Sequence, residues 1–126
     1  MNATAPTRPI ALSQDASVAR RQLTETLDEA HWRGDVDSVL LAVHEALVNA
    51  KRHAGGVSRA NACFDGDSLV VEVWDRGQGF RMPRSKKAPD TMAERGRGLF
   101  LMRRLATDVR VSRSADEVGL HLRFEP

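Results

Sequence analysis

Glu45-Ala46-Leu47-Val48-Asn49-Ala50-Lys51-Arg52-His53 is the stretch on which the reading of the whole chain turns. Wound at about 3.6 residues per turn, Glu45, Asn49, Arg52 and His53 fall on one side of a helix. The opposite side carries Val36, Val39, Leu40, Val43, Leu47 and Ala50, an apolar stripe fit to face a core. An acid, an amide and two nitrogen-bearing groups therefore line up away from the core, within reach of one ligand. A solvated outer face looks the same, so the surrounding chain has to decide between the two.

Working outward, Asp35 or Asp37 caps this helix and Gly55-Gly56 stops it just past His53. Before it, Asp15 or Ser17 caps another helix, with Val18, Leu23, Leu27 and Ala30 at helical spacing and Gly34 closing its end. Ile10-Ala11-Leu12 makes a short strand ahead of it. Residues 1–9 hold little to bury and read as a loose, flexible arm, leaving residues 10–126 as the folded domain.

After the helix, Ser58 to Asp65 alternates, with Ala60, Ala62 and Phe64 on one face. Gly66-Asp67 supplies a short turn, and Leu69, Val71 and Val73 face one way along the return strand, an antiparallel hairpin. From Asp75 to Arg97 there is no periodicity, only a long loop bearing glycines, prolines, Arg81, Arg84, Lys86 and Lys87. Loops of that length in small domains are usually functional or disordered. Gly98 to Ala106 reads as a third helix, Val109 and Val111 as a strand, and Leu120, Leu122 and Phe124 as the last strand. No internal repeat or second domain is visible. The pattern predicts an α+β fold, a two-layer α/β sandwich whose mixed, mostly antiparallel sheet carries helices on one face.

Composition narrows the classes. The chain has 126 residues, 41% hydrophobic and 29% charged, with a formal net charge of +2 and a pI near 9.2. That is one modest core in an ordinary globular protein. So small a charge bias does not argue for nucleic acid. No apolar run is long enough to span a bilayer, and the first residues lack the order of a signal peptide. Cys63 is the single cysteine, which excludes an internal disulfide framework. A cytoplasmic location follows as the default.

Two glycine-rich segments carry the chemistry. Asp75-Arg76-Gly77-Gln78-Gly79-Phe80 follows a buried-looking strand. A carboxylate there can accept a hydrogen bond from the exocyclic amine of a base, and glycines beside it let backbone approach a ligand. A plain glycine turn leaving a strand is equally compatible with this motif alone. It is no dinucleotide fingerprint, because the third glycine would fall at Met82, and there is no Walker-type phosphate loop. The second segment, Glu94-Arg95-Gly96-Arg97-Gly98-Leu99, opens a helix whose free amides and dipole favour an anion. A flexible loop feeding a packed helix would read the same way. Metal ligation by histidine or cysteine is poorly supported: His44-Glu45 has Val48 where a zinc-protease helix needs histidine.

Taken in order, an acid-then-amide helix, D-x-G-x-G after a strand and G-x-G at a helix start resemble the GHKL ATP-binding fold of gyrase, histidine kinases and MutL. The resemblance covers about Leu12 to Phe124. Within that superfamily the chain is similar to the small bacterial anti-sigma-factor serine/threonine kinases, whose N-terminal segment resembles Ser17-Val18-Ala19-Arg20.

The resemblance implies ATP and Mg²⁺ as cofactors and a role for each matching residue. Glu45 takes the place of the general base for a substrate hydroxyl. Asn49 takes that of the Mg²⁺ ligand, Arg52 that of a phosphate contact, and His53 closes the box. Asp75 matches the adenine-binding aspartate, with Gly77 and Gly79 beside it. Gly96, Arg97, Gly98 and Leu99 match the lid that wraps the triphosphate. Many members also carry Gly-Thr at the start of the last strand, and Asp116-Glu117-Val118-Gly119-Leu120 has no threonine, so Asp75 would carry more of the adenine binding. The implied function is a kinase and anti-sigma factor that phosphorylates an anti-sigma-factor antagonist, a STAS-domain protein, and otherwise holds a sigma factor. Relatives are often dimers, and direct contact with nucleic acid or membrane is not expected. Two rival readings stay open: a nucleotide-binding module that sequesters its partner without turnover, and a detached histidine-kinase catalytic domain.

Overall fold

The computed structural model describes residues 8–53, 56–76 and 94–126. Residues 1–7 of the arm expected at residues 1–9, Gly55 of the expected helix stop, and most of the long loop, with Gly77 and Gly79, therefore lie outside the described residues. In chain order the elements are β1 (Ile10–Ala11), α1 (Ala16–Glu29), α2 (Val36–His53), β2 (Val57–Asp65), β3 (Ser68–Asp75), α3 (Glu94–Leu105), β4 (Asp108–Arg113) and β5 (Val118–Phe124). The strands form one five-stranded sheet in the order β1-β2-β3-β5-β4. Every neighbouring pair is antiparallel, so the sheet is less mixed than the sequence pattern allowed.

Local chemistry sets the helix boundaries. Asp15 caps α1 by accepting the backbone N–H groups of Ser17 and Val18 on one carboxylate oxygen. Asp35 does the same for α2 through the N–H of Ser38, 3.2 Å away, and takes the Ser38 hydroxyl as well. The end of α1 departs from expectation. Gly34 does not close it; His31 does, with φ of 51°. The N–H of His31 reaches Asp28 O and that of Trp32 reaches Leu27 O, the pair of bonds that satisfies the last carbonyls of a helix. Gly34 serves Trp32 instead, because a Cβ there would lie 2.1 Å from the indole ring. The inward stripe of α1 is Ala19, Leu23 and Leu27, with Val18 half-buried and Ala30 exposed.

The β2–β3 hairpin forms as the alternation predicts. Its register pairs Asp65 with Ser68 around Gly66, whose φ of 63° suits a glycine-led tight turn. Ala60, Ala62, Leu69, Val71, Val73, Leu120, Leu122 and Phe124 all point to the helix-covered face. There they meet Val39, Val43, Ala46, Leu47 and Ala50 of α2 in a single core. Small alanines along α2 let its axis lie close to the strands beneath it.

The third helix begins at Glu94, four residues earlier than expected from its apolar spacing. Gly96 and Gly98 are thus inside its first turns and not in a loop ahead of it. By helix geometry only the leading N–H groups remain open, so Gly98 lies past the start of the intrahelical ladder.

Candidate functional site

Connectivity brings the three motifs to one end of the sheet. α2 ends at His53, and after a short link β2 begins at Val57, which is paired with Asp75. The same Asp75 is paired with Val118 at the start of β5. At the far end of the sheet, α3 runs out into β4, whose Asp108 is paired with Arg123. Hence the N-terminus of α3 lies toward the Asp75 end, as do the C-terminus of α2 and the C-terminus of β3. Leu99, one turn into α3, is 1% exposed and belongs to the core, so its part is to seat the helix.

The burial of the polar groups is the main correction to the sequence reading. Glu45, Asn49, Arg52 and His53 were expected to line up away from the core. Glu45 is half-buried and Arg52 exposed, but Asn49 is only 4% exposed. The cause is packing: α2 is the central helix, flanked by α1 and α3 and lying over β2, β3 and β5, so neighbours cover it on both flanks as well as beneath. Val36, expected in the apolar stripe, is only partly buried at the first turn.

Asp75 is fully buried on the core side of the last β3 position. A carboxylate taken out of water costs several kcal/mol, about, unless partners compensate, so such a group is seldom retained for packing alone. Asp75 has interactions of its own, while its Oδ2 meets no hydrogen-bond donor among the described residues. Nδ2 of Asn49 is likewise buried without a hydrogen-bond partner. Polar atoms in this condition are uncommon in folded proteins and mark places where a ligand or water completes the bonding. Among the described residues no cluster of three or more histidine, cysteine or acidic groups could hold a metal.

Sequence reasoning missed the frame around Asp75. Its cross-strand neighbours are Val57 and Val118, both buried, so the carboxylate stands between two apolar side chains. Just outside, Glu117 takes a hydrogen bond from the Ser58 hydroxyl at 2.6 Å and pairs with Arg59 at 3.2 Å. The Ser58 hydroxyl, and then the Arg59 hydrogen bonds, hold the Glu117 carboxyl below the usual glutamate range, with burial opposing. The guanidinium of Arg59 lies over Trp74 at 4.3 Å. This clasp ties β2 to the residue leading into β5 across the end of β3, beside the buried acid. In the sequence its only trace is Glu117 in a segment remarkable for nothing except its lack of threonine. At Gly119 a Cβ would lie 2.6 Å from the Trp74 ring, so that position takes glycine.

A helix-on-sheet sandwich with an acid–amide helix meeting a buried strand-end carboxylate is the architecture of an ATPase-type nucleotide domain. The family model of the histidine kinase-like ATPase domain matches residues 10–125, and the chain belongs to that family. Membership implies binding of ATP. Among solved structures, the fold matches the RsbU and RsbW domains of Rv1364c from Mycobacterium tuberculosis with a TM-score of 0.63 and 24% identity. That match covers 97% of this chain and 32% of the other, so this chain spans about a third of its neighbour's length. No curated protein matches the sequence. Among the described residues no helix is long and apolar enough to cross a membrane.

Proposed function

We propose that the protein is an ATP- and Mg²⁺-dependent serine/threonine kinase and anti-sigma factor whose substrate is an anti-sigma-factor antagonist of the STAS class. One observation carries the reading: Glu45 stands one helical turn before the buried Asn49, at the sheet end where Asp75 is buried. The RsbW domain in the matched structure supports the same assignment, as does the family itself. In this reading Asp75 accepts the adenine amine, and Arg52, Arg97 and the leading amides of α3 attend the phosphates. His53, Gly77, Gly79, Gly96 and Gly98 complete the cradle, with Leu99 seating the helix that carries the last two.

The donor set fits the cation. Asn49 has an unmatched amide atom: Nδ2 suits a phosphate oxygen, and turning the amide over presents Oδ1 to a hard cation. The ion would neutralise phosphate charge. Glu45 holds the acceptor hydroxyl and takes its proton as the oxygen bonds to the γ-phosphorus. The bond to the bridging oxygen breaks, and ADP leaves with its electron pair. Phosphoryl transfer asks for positioning and charge neutralisation above all, which these residues supply. When the antagonist is phosphorylated it releases the kinase, which then holds sigma.

Val118 beside Asp75 favours one alternative, a sequestering module that binds nucleotide without turnover, because an apolar neighbour gives adenine no hydroxyl. One experiment separates the two. With labelled ATP and a cognate antagonist, phosphate is expected on a serine or threonine of the antagonist. Glu45→Ala should slow transfer by roughly 10²–10⁴-fold while leaving ATP binding intact. Asn49→Ala should abolish transfer and weaken the Mg²⁺-dependent part of ATP binding. Undiminished transfer by either variant would overturn the roles assigned to them, and nucleotide-dependent partner binding without any transfer would favour the sequestering module.

A further inference from the structure

The sheet face that no helix covers among the described residues holds a second group of reactive side chains. Glu72 and His121 are directly opposed across β3 and β5, and Nδ1 of His121 lies 3.1 Å from Oε2 of Glu72. On its other side, Nε2 of His121 lies 2.6 Å from Oγ of Ser112. Ser112 is paired with Gly119, so it stands diagonal to His121 on the same face, within side-chain reach. Trp74 fixes the acid: its indole N–H donates to Oε1 of Glu72 at 3.2 Å. The Trp74 ring also meets His121 edge-on at 5.3 Å. Gly119 leaves the room that the indole fills.

A hydroxyl, a base and an orienting acid in that order form the arrangement that activates a serine. With Glu72 accepting Nδ1–H, the imidazole keeps its Nε2 lone pair for the Ser112 hydroxyl. The thiol on this face is suppressed: burial, and then the charges of Glu72 and Asp65, push Cys63 up. We infer that Ser112 is a nucleophilic serine that accepts acyl groups from activated donors such as aryl esters, thioesters or acyl phosphates. The open sheet face is then a covalent modification site distinct from the nucleotide end.

The donor class follows from the surroundings. β4 is an edge strand bonded to β5 alone, so the N–H groups of every second residue point outward, about 7 Å apart along the strand and too far apart to converge on one oxygen beside Ser112. The cation directly opposite His121 is Arg110, which is exposed and holds Asp108 at 2.9 Å. It can steady a developing oxyanion only weakly compared with a preorganised pair of amides. A good leaving group must therefore do the rest, which admits activated acyl compounds and excludes amides. In the step, Ser112 Oγ bonds to the acyl carbon and the carbon–leaving-group bond breaks. The hydroxyl proton moves to Nε2 of His121 and from there to the departing oxygen or sulfur.

The test uses p-nitrophenyl acetate on the whole chain, with nitrophenolate release followed by absorbance and acetylated serines located by peptide mass spectrometry. Ser114 is the control inside the same molecule, since it is exposed, close by, and bonded only to backbone, at Glu117 O. Ser112 is expected to acquire acetyl roughly 100-fold faster than Ser114, as an adjacent base provides. His121→Ala should reduce Ser112 to the Ser114 rate, and Ser112→Ala should remove the fast release while ATP binding persists. Equal rates at Ser112 and Ser114 in the unaltered protein overturn the inference, and so does an undiminished Ser112 rate in a folded His121→Ala variant. If that variant does not fold, the ratio in the unaltered protein decides alone.

Discussion

Replacing Asp75 with asparagine separates the nucleotide role of this residue from any structural one. The substitution keeps size and removes the charge at a fully buried position. A hydrogen bond between a base amine and a carboxylate is worth about 1.5–3 kcal/mol. At about 1.4 kcal/mol per tenfold, losing it should weaken ATP binding roughly ten- to hundredfold. The unliganded fold should not suffer, because an amide is cheaper to bury than a carboxylate. Thermal or urea unfolding with and without ATP reads both effects at once. At a hundred times its own Kd, ATP stabilises the parent protein by about 2.7 kcal/mol. At that same ATP concentration, a variant bound a hundredfold more weakly gains about 0.4 kcal/mol by the same relation. Unliganded curves that coincide, with the ATP-dependent gain collapsed, are the expected result. An unchanged gain would refute the placement of adenine on Asp75, and a collapse of the unliganded fold would make the residue structural.

Two further outcomes bear on the frame of the site. Glu117 has a depressed folded-state pKa, so its pairing with Ser58 and Arg59 stabilises the fold above the ordinary glutamate value and is lost as pH falls through the folded value. Urea denaturation of the parent and Glu117→Gln should therefore differ at neutral pH and converge in acid; a pH-independent gap would contradict the linkage. At Gly119, alanine should cost about 1–3 kcal/mol by pushing its Cβ into the Trp74 ring, with a matching change in near-ultraviolet circular dichroism. An unperturbed spectrum and stability would mean that the indole has room to move aside.

Much of this molecule could be read from residues alone, where the deciding physics is local. Asp15 and Asp35 cap because their carboxylates reach amides two or three residues away. The β2–β3 hairpin follows from period-two alternation around Gly66, and the α2 stripe from 3.6-residue spacing. The order of the acid–amide helix and the two glycine motifs was enough to indicate the ATPase family that the domain match bears out. Other features depended on what packs against what. Asn49 looks like an outward residue in its helix, and only the flanking α1 and α3 and the sheet beneath bury it. His31 closes α1 because the chain must turn left-handed there, whereas Gly34 is spent on clearance for Trp32. Two valines beside Asp75, the Glu117 clasp and the Ser112–His121–Glu72 relay join residues far apart in the chain. Cross-strand register decides such neighbours, and one residue of slip would have sent every one of them to the opposite face.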